Sequence, residues 1–168
     1  LPTVDVHVKD NDGRTLLRRL MCTAKIFDNP KTVDDVVRMI TKIVKLGGNL
    51  SELEPSGFTS ISLLGNNMVV NQTTVEHFMI LLDLPTVDVH VKSILGMTLL
   101  HHILESISLH NFDTVQGIIL PMVRKIVKLG GSLNECDKDG CTPLMCYVTG
   151  MEPTIASMEC FLAILELP

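Results

Sequence analysis

GGSLNECDKDGCTPL, at residues 130–144, contains a helix stop, a chain reversal and a helix start in one short run. Gly130 suits the left-handed position that closes an amphipathic helix, because it has no Cβ to clash there. Leu133 is the apolar side chain of the extended segment that follows. Asp137, Lys138, Asp139 and Gly140 form a hairpin tip, since Asp bonds back to nearby amides and Gly takes positive φ without strain. Thr142 then stands where its hydroxyl caps a new helix, and Pro143 falls in the first turn, where its missing N–H is not needed.

Outward from this run, the same Gly-x-Thr element occurs as GRTLL at 13–17, GFTSI at 57–61, GMTLL at 96–100 and GCTPL at 140–144, at spacings of 44, 39 and 44 residues. Ten residues before each glycine a helical pattern ends, at Thr3, Gly47, Thr86 and Gly130. Pro2 and Pro85 are expected to stop the helix where no glycine is present. Val6, Leu50, Val89 and Leu133 are the matching positions expected to be buried. A longer helix is predicted over Thr32 to Leu46. Thr32 is its cap, Asp34 and Asp35 favour the positive end of its dipole, and Val33, Val36, Val37, Ile40, Ile43 and Val44 recur at helical spacing. Thr74 to Leu84 and Ser157 to Leu165 read alike, and Pro121 predicts a kink in the third such helix or a start close to it.

The units are themselves paired. LPTVDVHVK at 1–9 returns unchanged at 84–92, and KIVKLGG at 42–48 returns at 125–131, both at an offset of 83 residues. The chain begins without Met and ends on Leu167 and Pro168, the opening of what would be a third copy, so it is expected to be a piece of a longer array.

The 168 residues are 46% hydrophobic but only 4% aromatic, which excludes disorder and predicts an aliphatic core. A net charge of −5 argues against nucleic acid as the ligand, because phosphate binding needs a concentrated basic face. Apolar stretches such as 117–123 are far shorter than the ~20 residues a membrane helix requires. The five cysteines are odd in number and follow no disulfide pattern, so an intracellular, reducing compartment is expected, cytoplasmic or nuclear.

Hairpin, Gly-x-Thr, short helix, turn, longer helix and Gly-Gly-x-Leu-Asn, in that order, resemble the ankyrin repeat. Residues 130–144 fill almost every diagnostic position, and Val4 to His7 and Val87 to His90 are similar to the family's Ala-Asp-Val-Asn. The resemblance implies an all-α fold with short β-hairpin turns, a solenoid of stacked helix-turn-helix units. It implies one array over 1–168 with about four units, roughly 5–47, 49–86, 88–130 and 132–168. Two features depart from the family. Its unit is about 33 residues, so the surplus is expected between first and second helices, in Cys22–Lys31, Leu64–Gln72, Ser106–Asp113 and Val148–Pro153. The Pro and His of Thr-Pro-Leu-His are mostly replaced, which predicts a weaker capping network.

Residues with chemical potential have simpler readings. Cys136, Cys141 and Cys146 lack CxxC spacing and a nearby His, so no metal site is expected. His101 and His102 are adjacent on a helix and face different ways. Asp34 with Asp35 and Glu52 with Glu54 suit capping or solvated roles, and no catalytic triad or phosphate loop is present. No enzyme activity, cofactor or small-molecule ligand is expected. The resemblance instead implies that another protein binds the concave face of hairpin tips and first helices. The candidates are Arg14, Arg18, Phe58, Ser62, Lys92, Ile94, Met97, His101, Lys138, Cys141 and Met145. Phe58, Ile94 and Met97 form an expected apolar interface centre; the alternative is that they pack on neighbouring hairpins. A scaffold or adaptor role is expected, against intramolecular regulation of a larger enzyme, ubiquitin-ligase component or channel, or a spacer contacting nothing.

Overall fold

The computed structural model describes residues 4–22, 32–108 and 116–167, and within them the chain is all-helical. The helices are α1 (Leu16–Cys22), α2 (Val33–Lys45), α3 (Ser60–Asn67), α4 (Gln72–Leu81), α5 (Leu99–Ser108), α6 (Gln116–Lys128), α7 (Pro143–Gly150) and α8 (Ile155–Leu165). They stack in two rows. In one, α1 packs on α3, α3 on α5 and α5 on α7; in the other, α2 packs on α4, α4 on α6 and α6 on α8.

Each helix pair is introduced by the same turn-back. Asp10 N–H donates to Arg14 O and Gly13 N–H to Asp10 O; the pair recurs at Glu54/Phe58/Gly57, Ser93/Met97/Gly96 and Asp137/Cys141/Gly140. The reversals are too short for strands: among the described residues pairing amounts to one isolated antiparallel bridge, Leu53 with Thr59. Asp10 Oδ1 accepts from the amides of Asp12 and Arg14, Asp137 Oδ1 from those of Asp139 and Cys141, and Ser93 Oγ from those of Leu95 and Met97. Tips are also joined to each other. Ile94 N–H donates to Gly57 O and Lys138 N–H to Leu95 O, but the equivalent position facing the first tip is Pro55, which has no N–H.

Gly96 shows what the tip demands. It lies at φ +79°, and a Cβ there would stand 2.9 Å from the backbone N of Lys138. Gly140 has φ +80° but open space around it. Gly140→Ala is therefore expected to cost about 1–2 kcal/mol of left-handed strain. Gly96→Ala should cost more, because the neighbouring tip must also move. Thermal unfolding of the two variants side by side checks the difference.

Several predicted helix ends shift, for local reasons. Thr32 precedes α2 in helical backbone conformation (φ −110°, ψ −13°) and not in the extended form a capping side chain uses. The caps of α4 and α8 are Asn71 and Thr154, with Thr74 and Ser157 at the third helical position completing capping boxes. Helix α4 ends at Leu81, ahead of Pro85, whereas α2 ends as expected on Gly47 at φ +104°. Pro121 lies inside α6. Part of the surplus length is helix, not loop: α3 runs to Asn67, α5 to Ser108 and α7 to Gly150. The expectations for Pro2, for Thr3 and for most of Cys22–Lys31 and Ser106–Asp113 fall outside the described residues.

The core is mainly aliphatic, with Phe78 and Tyr147 as its largest fully buried side chains, and runs through both rows. Val33, Val36, Val37, Ile40 and Val44 bury the inner stripe of α2, Leu17, Ile61 and Leu100 that of the first helices, and Val6, Leu50 and Val89 the extended segments; Leu133 is partly buried. At ~25 cal/mol per Å² of apolar surface, such side chains contribute on the order of 1.5–3 kcal/mol each. His7 and His90 lie against the helix-ending Gly47 and Gly130, where an added Cβ would stand 3.0 and 2.9 Å from Nε2. That contact gives the repeated junction a packing role in both copies.

Candidate interaction surface

Gly-x-Thr places one threonine at the start of each first helix. The Thr15, Thr59 and Thr142 hydroxyls accept from the amides of Arg18, Ser62 and Met145 at 3.2, 3.1 and 3.3 Å. The residue three places on therefore turns back toward its own cap and toward the next hairpin, and this removes three of the expected surface candidates. Ser62 is buried, and its hydroxyl accepts from Thr59 N–H at 3.0 Å. His101 is fully buried: Nδ1 accepts from Thr98 N–H at 3.0 Å, so Nε2 carries the proton and donates to Cys141 O, 3.1 Å away in the next hairpin. Arg18 is buried against Glu54 of the next hairpin, with Nε 3.5 Å from Oε2. Met145, at the last such position, remains exposed.

Glu54 stands where the other tips have Asp10, Ser93 and Asp137. Its longer side chain reaches away from its own tip, accepting from Thr15 Oγ1 at 3.0 Å and meeting Arg18. Burial raises its carboxyl above the usual range, opposed by the Thr15 bond and the Arg18 charge. The residue three places after the threonine thus differs from unit to unit: Arg18 and His101 reach the next hairpin, whereas Ser62 bonds only within its own cap.

The expected apolar centre is split. Met97 is buried, and Phe58 is half-buried against His102, with ring centroids 5.1 Å apart. Both follow the tip glycine directly, a position that turns inward; Arg14 and Cys141, at the same position, are half-buried too. Ile94 is 57% exposed, and the adjacent Leu95, a position where the two copies differ but not one of the candidates, is 54% exposed. The signal for Leu95 was its register with Asp12, Ser56 and Asp139, all polar. Leu53 and Pro55 on the second tip are also exposed, and Ile94 leans over Gly57, so the second and third tips share one apolar ridge.

Charged pairs bracket the ridge. Lys9 Nζ lies 2.8 Å from Glu52, and Lys92 Nζ lies 2.9 Å from Glu135, the same contact repeated at the offset of 83 residues. Lys138 is exposed on the fourth tip, beside Asp139. Elsewhere, burial pushes the Cys146 thiol up to about 11, so at neutral pH it is protonated and a poor nucleophile. No helix among the described residues is long and apolar enough to cross a membrane.

This geometry offers an open row of tips with apolar side chains at its middle and ion pairs at its seams, suited to contact with a surface more than to enclosing a substrate. No family model matches the chain, and no curated protein matches it.

Proposed function

We propose that this chain is a diverged ankyrin-repeat solenoid and acts as an intracellular protein-interaction scaffold, holding another protein along its hairpin tips. The repeat reading is supported by the recurrence of one turn-back and one capping threonine at spacings of 44, 39 and 44 residues, and by the two rows of stacked helices. One observation carries the interaction reading. Ile94 and Leu95 are exposed at positions where the first tip has Asn11 and Asp12 and the fourth has Lys138 and Asp139. A tip of this geometry folds with polar residues at both places, so burying these side chains is left to a partner. A net charge of −5 favours a protein over nucleic acid.

Replacing Ile94 by Lys and Leu95 by Asp gives the third tip the residues of the fourth. The double variant should unfold within about 2 °C of the parent chain, since exposed substitutions change stability by only a few tenths of a kcal/mol. In quantitative capture from lysate, partners retained by the parent should fall at least tenfold, the loss of roughly 1.4 kcal/mol or more expected of a contact centre. Equal retention by parent and variant would remove the tips from the interface.

A further inference from the structure

In the second row of helices, α4 and α6 leave between them a groove of about 510 Å³, lined by Met79 and Asp83 on the α4 side and by Pro121, Arg124, Lys128 and Leu129 on the α6 side. Both helices are flanked inside the chain, α4 by α2 and α6 by α8, so the groove is open with neighbours in place on either side. Met79 packs partly on the core, while Pro121 and Leu129 are exposed. Charge in the groove is unbalanced. Asp83 is already answered by Lys125, whose Nζ lies 2.6 Å away. Arg124 and Lys128 are exposed and form no ion pair among the described residues. They stand four residues apart on one helix face, where like charges repel.

The other copy, at the offset of 83 residues, shows that the fold does not demand this surface. Arg38 stands in the place of Pro121 and reaches Asp35 of its own helix at 3.2 Å; Thr41 stands in the place of Arg124 and donates to Val37 O at 2.8 Å. Both side chains are engaged within α2. In α6 the same positions carry an apolar ring and an exposed guanidinium, and Asp34 and Asp35 give way to Gly117 and Ile118. Helix α6 therefore has basic residues and no acidic one. Lys128, like Lys45 in the first copy, suits the negative end of its helix. Arg124 is surplus to that role.

We propose that this groove binds an acidic segment of a partner protein, an apolar side chain of the segment seating between Met79, Pro121 and Leu129 and the carboxylates beside it meeting Arg124 and Lys128. A guanidinium takes a carboxylate through two parallel N–H donors, and the ammonium four residues along takes a second. An anion between the two cations also removes their mutual repulsion. A groove of this size seats one or two side chains and not a folded domain. Its apolar floor gives a bare phosphate chain nothing to bury, and a net charge of −5 opposes a long polyanion. None of these residues belongs to a hairpin tip, so the groove is a second surface, separate from the ridge at Ile94 and Leu95.

Random peptides of about 12 residues, long enough when extended to cross the groove, displayed on phage and selected on the 168-residue chain test this. The expected result is a peptide family with Asp or Glu on either side of an apolar residue, whose affinity by fluorescence anisotropy falls as NaCl is added. Arg124→Thr, which copies Thr41, combined with Lys128→Gln should weaken that family at least tenfold. The unfolding temperature of this variant should stay within about 2 °C of the parent, because both side chains are exposed. Replacing Ile94 by Lys and Leu95 by Asp should leave the family's affinity unchanged, which separates this site from the tips. Selection that yields no acidic family would overturn the proposal. So would an acidic family that binds the groove variant as well as the parent, one lost with the tip variant, or one displaced by millimolar inorganic phosphate at constant ionic strength.

Discussion

Arg18→Ala should destabilise the chain by about 3 kcal/mol at neutral pH, the scale for breaking one side of a buried ion pair. The Glu54 side chain is only 2% exposed, and without Arg18 its carboxylate keeps just the Thr15 hydroxyl bond. The deficit should shrink in acid. Burial already raises the Glu54 carboxyl, so as pH falls through its folded pKa the group takes up a proton and the unpaired charge disappears. The sharper test combines two changes. Arg18→Ser copies Ser62, and Glu54→Asp copies the tips in which Asp10 and Asp137 bond their own turn amides. Together they should recover most of the stability lost by Arg18→Ala, whereas Glu54→Asp alone strands Arg18 and costs a similar amount. Urea unfolding of the parent, Arg18→Ser, Glu54→Asp and the double variant closes the cycle and gives the coupling energy.

Acid should reveal a second buried group. His102 lies beneath Phe58, and burial, helped by the adjacent His101, lowers its pKa to about 4 from an ordinary 6.5. The unfolded chain protonates near 6.5 and the folded one near 4, so between those values the unfolded state binds more protons and stability falls with pH. At about 1.4 kcal/mol per pH unit the whole loss is about 3 kcal/mol, complete below about pH 4. Glu54 acts with the opposite sign, so the parent curve alone mixes the two. His102→Leu copies Leu63, which holds the same register position in the second unit. The difference between parent and variant unfolding free energies, measured at steps from pH 7 to pH 4, isolates the histidine. A difference independent of pH would mean that His102 takes up its proton at the same pH in the folded and unfolded chains.

Punctuation was the legible part of this sequence. Gly13, Gly57, Gly96 and Gly140 take the positive φ their register implied, because a tip built around one backbone geometry tolerates few alternatives. Helix type and order followed from the stripe on α2 and its relatives. Orientation within the first helices did not. Arg18, Ser62 and His101 read as surface residues because the register of the resemblance puts that helical position on the concave face, yet the capping geometry draws the third helical residue back over its threonine, and each finds its partner there or in the next hairpin. For Met97 and Phe58 the alternative of packing inward is the one the structure favours: the residue after the tip glycine turns inward, leaving Met97 buried and Phe58 half-buried. Ile94 survived as a surface residue because its register neighbours Asn11, Pro55 and Lys138 are all exposed.

Pro55 gives the row of tips a direction. From the second tip to the fourth, neighbours are fastened by a main-chain hydrogen bond, but between the first and second the fastening is left to side chains, Lys9 with Glu52 and Arg18 with Glu54. Parting the first two tips breaks no main-chain bond but uncovers the buried pair of Arg18 with Glu54, so this seam is held by charge where the others are held by backbone. Amide exchange would record the polarity, with Ile94 and Lys138 slow and no donor at Pro55 to hold the first tip closed.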